Sequence, residues 1–231
     1  MRSILTRLMT VCLLAVSLLG LSACHSADDL GTQHERLISE SMISFQSMMR
    51  DGQYPGLVDL ATRARAILIV PNYLRAAFFV GGYGGNAVLV VRNQNNQWSN
   101  PAFYTLGGLS FGLQFGGNSS EIVIAIMTEK GLNAIMDRKV TLGGDAGVAV
   151  GELGRGVRAA TGIGYKSDMY AFARSEGLYV GVSLEGSVIA PRHTWNQAFY
   201  HQPKVAPRDI LVRRSVTTNS QAAASLIAAM P

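Results

Sequence analysis

Cysteine is almost missing from this chain: Cys12 and Cys24 are the two present in 231 residues. Charge is sparse as well, with Asp, Glu, Lys and Arg together at 15%, and aromatic residues stand at 8%. Two cysteines, both near the amino terminus, exclude a disulfide framework and a cysteine-based metal site in the body of the chain. Scattered rather than clustered Lys and Arg exclude the footprint of a nucleic-acid binder. Past Leu21 no second long apolar run occurs, so no transmembrane helix is expected. The histidines are four: His25, His34, His193 and His201. The last two lie eight residues apart with no carboxylate between them, and the four read as surface histidines rather than metal ligands. No metal and no other cofactor is expected.

What is present begins with the leader. Arg2 and Arg7 precede an apolar stretch from Leu8 to Leu21, the charged and apolar regions of a secretory signal. The stretch ends in Leu21-Ser22-Ala23-Cys24, which resembles the bacterial lipobox. In that pattern the Cys24 thiol receives a diacylglycerol, the chain is cut before it, and the new amino terminus is acylated. Several acyl chains, at roughly 0.8 kcal/mol per buried CH₂, make a stable anchor. His25 in the next position favours the periplasmic face of the outer membrane by resemblance to lipoprotein sorting rules. Cys12 would leave with the leader. Of 20 basic residues, removing Arg2 and Arg7 leaves 18 against 15 acidic ones, a net charge of +3. That balance suits an anionic membrane surface.

Residues 24–33 read as a short lipidated tether. Leu37, Ile38, Met42, Phe45 and Met49 then recur at helical spacing, predicting a helix over Thr32–Arg50, with Thr32 and Glu35 placed for a capping box. A second helix is predicted from Leu57 to Ala66. From there the period drops to two. Ala66–Val70 is a strand broken by Pro71-Asn72, Ala76–Val80 resumes it, and Gly81-Gly-Tyr-Gly-Gly85 reads as a turn before a strand at Ala87–Val91. Asn93–Asn96 is a hairpin connection. Leu109–Phe115 alternates as a half-buried strand, and Glu121–Met127, apolar on both faces, is a central one. Lys130–Lys139 is a short helix. Val140–Val150, Met169–Ala173 and Leu178–Ala190 supply further strands. Residues 213–231 form a Ser/Thr/Ala-rich tail, in which 222–229 is either a marginal helix or without structure. The 25 glycines fit closely packed β-structure. The expected fold is α+β: amino-terminal helices, then a curved, Gly-rich, mainly antiparallel sheet or partly closed barrel.

Catalytic patterns fit poorly. Gly162-Ile-Gly-Tyr-Lys166-Ser167 lacks the glycine that a phosphate loop needs directly before its lysine. Gly181-Val-Ser183-Leu-Glu185-Gly186 places its second glycine one residue late for a nucleophile elbow, leaving a hydrolase with Ser183 and His193 as a minor alternative. Asp145, Arg174 and Glu185 interrupt strand patterns, and either face water or converge on a polar concavity.

Several segments together resemble the SYLF domain. They are RAAFFVGGYGGNAVLVVR from Arg75 to Arg92, QWSNPAFYTLGGLSFGLQFGG from Gln97 to Gly117, VTLGGDAGVAVGELGR from Val140 to Arg155, AFARSEGLYVGVSLEGSVIAPR from Ala171 to Arg192, and NQAFY from Asn196 to Tyr200. Residues 34–212 would be that domain, after a leader at 1–23. The resemblance implies a non-enzymatic, lipid-binding module. In the family, lipid binding is associated with an amphipathic amino-terminal helix and basic residues early in the domain; eukaryotic members bind phosphoinositide membranes and some bind actin. Here the helix would be Thr32–Arg50 and the basic residues Arg63, Arg65 and Arg75, with Arg92 added by its place near the first strands. Pro71-Asn72 forms a small insertion, and Tyr83 stands where other members often carry a basic residue. The expected function is an outer-membrane-anchored lipoprotein whose domain binds anionic phospholipid or phosphoinositide-type head groups through Arg63, Arg65, Arg75 and Arg92. The alternative is a structural envelope lipoprotein that binds a protein partner and has no lipid recognition of its own.

Overall fold

The computed structural model describes residues 27–77, 80–111, 116–136, 138–143, 150–152, 167–176, 184 and 186–231. Two helices, α1 (Ala27–Arg50) and α2 (Pro55–Arg63), precede the first four strands, β1 (Ala66–Ala77), β2 (Val80–Val91), β3 (Ala102–Phe111) and β4 (Gly116–Ile126). After them come α3 (Glu129–Met136), β5 (Val140–Thr141), β6 (Val150–Glu152), β7 (Met169–Glu176), β8 (Val188–Pro191), α4 (His193–Phe199), α5 (Pro207–Leu211) and α6 (Gln221–Ala229). The strands form one curved sheet in the order β5-β8-β3-β2-β1-β4-β7-β6. Every pair is antiparallel except β6 with β7. The α+β class expected from the sequence is the one found.

Both faces of the sheet are covered, which explains why its central strands are apolar throughout. On one face Ile67, Ile69, Val88, Val90, Phe103, Val123 and Phe172 pack against α1, α2 and α6. On the other, Leu68, Val70, Leu89, Tyr104, Leu106, Ile122 and Ile124 pack against α3 and α5. Helix α1 contributes Leu37, Ile38, Phe45 and Met48, all buried, so its apolar stripe lies on the sheet. It begins at Ala27, earlier than Thr32. Helix α6, within the compositionally distinct tail, buries Ala223 and Leu226 against the same core, and Ser220 caps it by accepting from the Ala223 amide at 3.0 Å.

Two local expectations are corrected. Pro71-Asn72 does not break the first strand: β1 runs through it with one extra residue relative to both β2 and β4. Proline lacks a ladder donor, and a bulge is where a strand tolerates it. Nor is 81–85 a turn. These glycines lie inside β2, paired with both β1 and β3. Their reason is close approach: a Cβ on Gly85 would run into the Asn72 carbonyl of the bulge, and one on Gly108 into the Tyr83 ring. Of the expected strand 109–115, residues 109–111 lie at the end of β3 and 112–115 lie outside the described residues, while β7 extends to Glu176, three residues past Ala173. Helix α2 stops at Arg63, where the chain turns to enter β1, and α3 stops at Met136.

Strand β8 leaves β3 after pairing Pro191 with Tyr104. At the next β3 residue, Phe103, the carbonyl still accepts from the Arg192 amide at 2.9 Å, but the Phe103 amide turns to a side chain. The Phe103 amide donates to Asn196 Oδ1 at 2.7 Å, and Asn196 Nδ2 donates to the Phe103 carbonyl at 3.1 Å. Asn196 is fully buried, and its carboxamide continues the ladder where the strand has ended. Asn196→Ala should therefore lower stability by about 1–3 kcal/mol, since it leaves the buried Phe103 amide unpaired, while the Phe103 carbonyl keeps the Arg192 amide at 2.9 Å; denaturant titration measures this. Gly85→Ala should cost about 1–3 kcal/mol by forcing β1 and β2 apart at the bulge, with Gly82→Ala as the control, because a Cβ there meets nothing within 4 Å.

Candidate functional site

The four arginines singled out from the sequence divide between the two ends of β1. Arg63 ends α2, Arg65 directly precedes β1, and the Arg92 amide donates to the Arg65 carbonyl at 2.7 Å. These three sit together. Arg75 lies ten residues further along β1, opposite Tyr83 on β2 and Asn118 on β4, roughly 30 Å away at strand rise. One contact surface does not hold all four.

At the shared end each cation has a structural partner. Arg63 pairs with Asp59 one turn back on α2, and Arg65 reaches Glu129 at 3.3 Å, both side chains exposed. Such exposed pairs contribute little and leave the cation accessible. Arg92 differs. Its two Nη atoms donate to the carbonyls of Ala61 and Thr62, each at 2.6 Å, closing the carboxyl end of α2. Its guanidinium also lies 4.5 Å from the Trp98 ring centroid. A fifth arginine, Arg214, joins from the far end of the chain, donating to the Gln97 carbonyl at 2.6 Å and reaching toward that of Val91 at 3.4 Å. Among the described residues neither Arg92 nor Arg214 has a carboxylate within ion-pair distance, and burial holds both below the usual arginine pKa. Trp98 is fixed beneath the Arg92 guanidinium by its indole N–H, which donates to the Pro231 carbonyl at 2.9 Å. This end of the molecule thus gathers Arg63, Arg65, Arg92 and Arg214. Arg214 escaped the sequence reading because 122 positions separate it from Arg92, and only the packing of the carboxyl-terminal segment brings it back.

Other sequence expectations resolve differently. Arg174 is neither solvated nor part of an open concavity. It is half-buried beneath α1, paired with Glu121 and donating to Ser47 Oγ at 2.8 Å, while Ser44 Oγ donates to Glu121 at 2.8 Å. The helix docks on β4 and β7 through this network. Cys24, Asp145, Ser183, Glu185 and the glycine-lysine stretch at 162–166 lie outside the described residues. No group of three or more potential metal ligands occurs among the described residues, and no helix among them is long and apolar enough to cross a membrane.

His34 is the clearest departure. Expected on the surface, it is 1% exposed. Its ring sits 4.9 Å from Phe103, 4.8 Å from Trp195 and 5.7 Å from Phe199, measured between centroids. The sequence held a signal: Leu37 and Ile38 lie three and four positions on, so His34 shares the apolar face of α1. Burial, reinforced by the nearby Arg192 cation, lowers its pKa to about 4. Arg192 itself stacks 3.5 Å from the Trp195 ring centroid and donates to Asn86 Oδ1 at 2.6 Å.

The folded protein keeps His34 neutral down to about pH 4, whereas the unfolded chain protonates near 6.5. The unfolded state therefore binds more protons in that window. This contribution to stability is fully present above pH 6.5 and is lost as pH falls toward 4, by no more than about 3 kcal/mol. Denaturant titrations across that range should show the slope in the parent chain and lose it in His34→Phe.

Comparison with known proteins gives a consistent picture. The Ysc84 family model, described as Las17-binding protein actin regulator, matches residues 107–230, just over half of the chain. SH3 domain-containing YSC84-like protein 1 of Xenopus laevis is 34% identical over 145 residues, covering 62% of this chain and 43% of the relative. The human protein of that name is 34% identical over 136 residues, covering 58% and 40%. LAS seventeen-binding protein 3 of Saccharomyces cerevisiae is 32% identical over 145 residues, covering 62% and 31%. The chain thus spans less than half the length of these relatives.

Proposed function

The chain belongs to the Ysc84 family, and from that premise we propose that it is a non-catalytic binding module of the bacterial envelope, anchored by lipid on Cys24, whose basic end docks onto anionic phospholipid head groups. The observation that carries this is the gathering of Arg63, Arg65, Arg92 and Arg214 at one end of the sheet, two of them without any carboxylate partner among the described residues. Guanidinium groups suit phosphate oxygens, and each basic residue at an anionic surface contributes on the order of 1 kcal/mol. Within this surface the roles divide. Arg63 and Arg65, exposed and weakly paired, contact head groups. Arg92 and Arg214 supply fixed positive charge while they hold α2 and the β2–β3 connection.

Helix α1 is not the membrane element in this arrangement, because its apolar stripe is spent on the sheet. Lipid contact is therefore electrostatic and sensitive to salt.

A second reading follows from the relatives' names. The yeast relative is named for binding another protein, and the family description names an actin regulator. On that reading the same basic end receives an acidic protein partner in the envelope, and the lipid contact is the anchor alone.

The test is co-flotation of the unacylated chain, starting at residue 25, with neutral and anionic vesicles at low and high salt. Salt-sensitive flotation with anionic vesicles alone is expected. Arg63→Gln with Arg65→Gln should weaken it roughly tenfold or more. Arg75→Gln should leave it unchanged, being at the other end of β1. Absence of flotation with every vesicle would sink lipid recognition and turn attention to a protein partner captured by crosslinking in cells.

A further inference from the structure

Helix α1 leaves part of its own side of the sheet uncovered. Leu74 pairs with Gly84, as Ile69 pairs with Val88, so Leu74 lies on the sheet face that α1 packs against. Ile69 is fully buried there, whereas Leu74 is 60% exposed. Gly84 and Gly107 are register partners on β2 and β3. Gly82 is the next residue of β2 on that face, and a Cβ built on it meets nothing within 4 Å. Internal packing gives no reason for a glycine there, and glycine inside a strand marks the close approach of a second surface. Beside α1 this open floor forms a trough of about 610 Å³, with Leu37, Glu40, Leu74, Gly84 and Gly107 along it and Trp195 in its wall.

A knob stands next to the trough. Ile43 is also 60% exposed and lies one turn after Glu40 on α1. Glu40 accepts from Asn72 Nδ2 at 2.8 Å, and Asn72 is two residues before Leu74. The two most exposed large apolar side chains among the described residues therefore flank one hydrogen bond. Gln33, Arg36, Glu40 and Ile43 recur at spacings of three and four, which places them on one stripe of α1. The first three of them line the trough. Arg36 Nε donates to Glu40 at 2.7 Å, so the rim carries one cation and one anion a turn apart.

We infer that this face binds a second copy of this chain about a two-fold axis. The patch carries its own complement: a protruding isoleucine with a hollow beside it, and a positive with a negative charge on one rim. Two α1 helices lying antiparallel set Arg36 against the partner's Glu40 and, by symmetry, Glu40 against the partner's Arg36. That pairing is centred on Ile38. The same centre sets Ile43 level with the partner's Gln33, at the partner's trough. Charge and apolar contacts thus agree on one alignment. Arg36 keeps its own Glu40 through Nε and has its Nη groups for the other copy. A membrane would set Glu40 against anionic head groups, and a partner of one charge sign would meet its like at Arg36 or at Glu40. This inference does not rest on lipid recognition, so either can fail without the other.

The experiment is sedimentation velocity of the unacylated chain from residue 25, which contains every described residue, from micromolar to sub-millimolar concentration. A reversible shift from monomer to dimer is expected. Ile43→Lys should weaken dimerisation about tenfold or more, the loss of one central apolar contact. Ile43 and Arg36 are exposed, so substitutions there leave the core intact. Arg36→Glu should stay monomeric by itself, and so should Glu40→Lys, because each brings like charges together across the axis. Mixed in equal amounts the two variants should form a dimer, since each then meets the opposite charge on the other. A parent chain that stays monomeric throughout would overturn the inference. So would a dimer that Ile43→Lys leaves intact, or charge variants that fail to associate when mixed.

Discussion

The Asn196 carboxamide holds the point on which the rest of this arrangement turns. Strand β8 departs from β3, and without a substitute partner Phe103 would leave a buried amide unpaired in the middle of the sheet. Asn196 supplies both donor and acceptor, and in doing so fixes α4 on the sheet in one register. Trp195, Phe199 and Tyr200 follow from that placement. Tyr200 donates to the Pro101 carbonyl at 2.6 Å, and its burial raises its pKa well above the ordinary phenol value. Trp195 and Phe199 wall in His34 and so seat the first half of α1. One buried amide thus links strand pairing, helix docking and the burial of His34.

The basic end has a different origin. Arg92 and Arg214 sit there because backbone carbonyls at the end of α2 and in the β2–β3 connection need donors. Guanidinium meets that need with several N–H groups on one rigid plane, and it brings charge with it. Positive potential therefore accumulates where the fold needs carbonyls capped. Arg63 and Arg65 add to it from the neighbouring turn. Structural capping and anion attraction are two consequences of the same side chains. This is why variants at the exposed pair separate the effects better than variants at Arg92.

Helix α1 shows how a shared pattern is settled by context. Its apolar stripe fits a membrane surface or a protein core equally well as a sequence. The sheet offers it Ile67, Val90 and Val123, and the polar network of Ser44, Ser47, Glu121 and Arg174 locks it across β4 and β7. Desolvating that ion pair is tolerable because the serine hydroxyls complete its hydrogen bonds.

The two amino-terminal helices, the succession of strands after them, the central place of the 121–127 segment and the α+β class were legible in the sequence, because period and apolar content are local properties; the short helices α4 and α5 were not. So was the family, from motifs strung along the chain. The glycine-rich 81–85 stretch misled, since glycine marks close approach as readily as a turn, and only the neighbouring strand tells which. His34 and Arg214 stayed hidden, and Arg92 was singled out without its capping role, for the same reason. Their roles depend on Trp195, Ala61 and Gln97, which lie far off in sequence. By itself the sequence determined the main helices and strands and which of their faces are apolar. The tertiary structure decided which charges meet, which histidine is buried and which groups stay unpaired, because these follow from contacts across distances along the chain that no local pattern encodes.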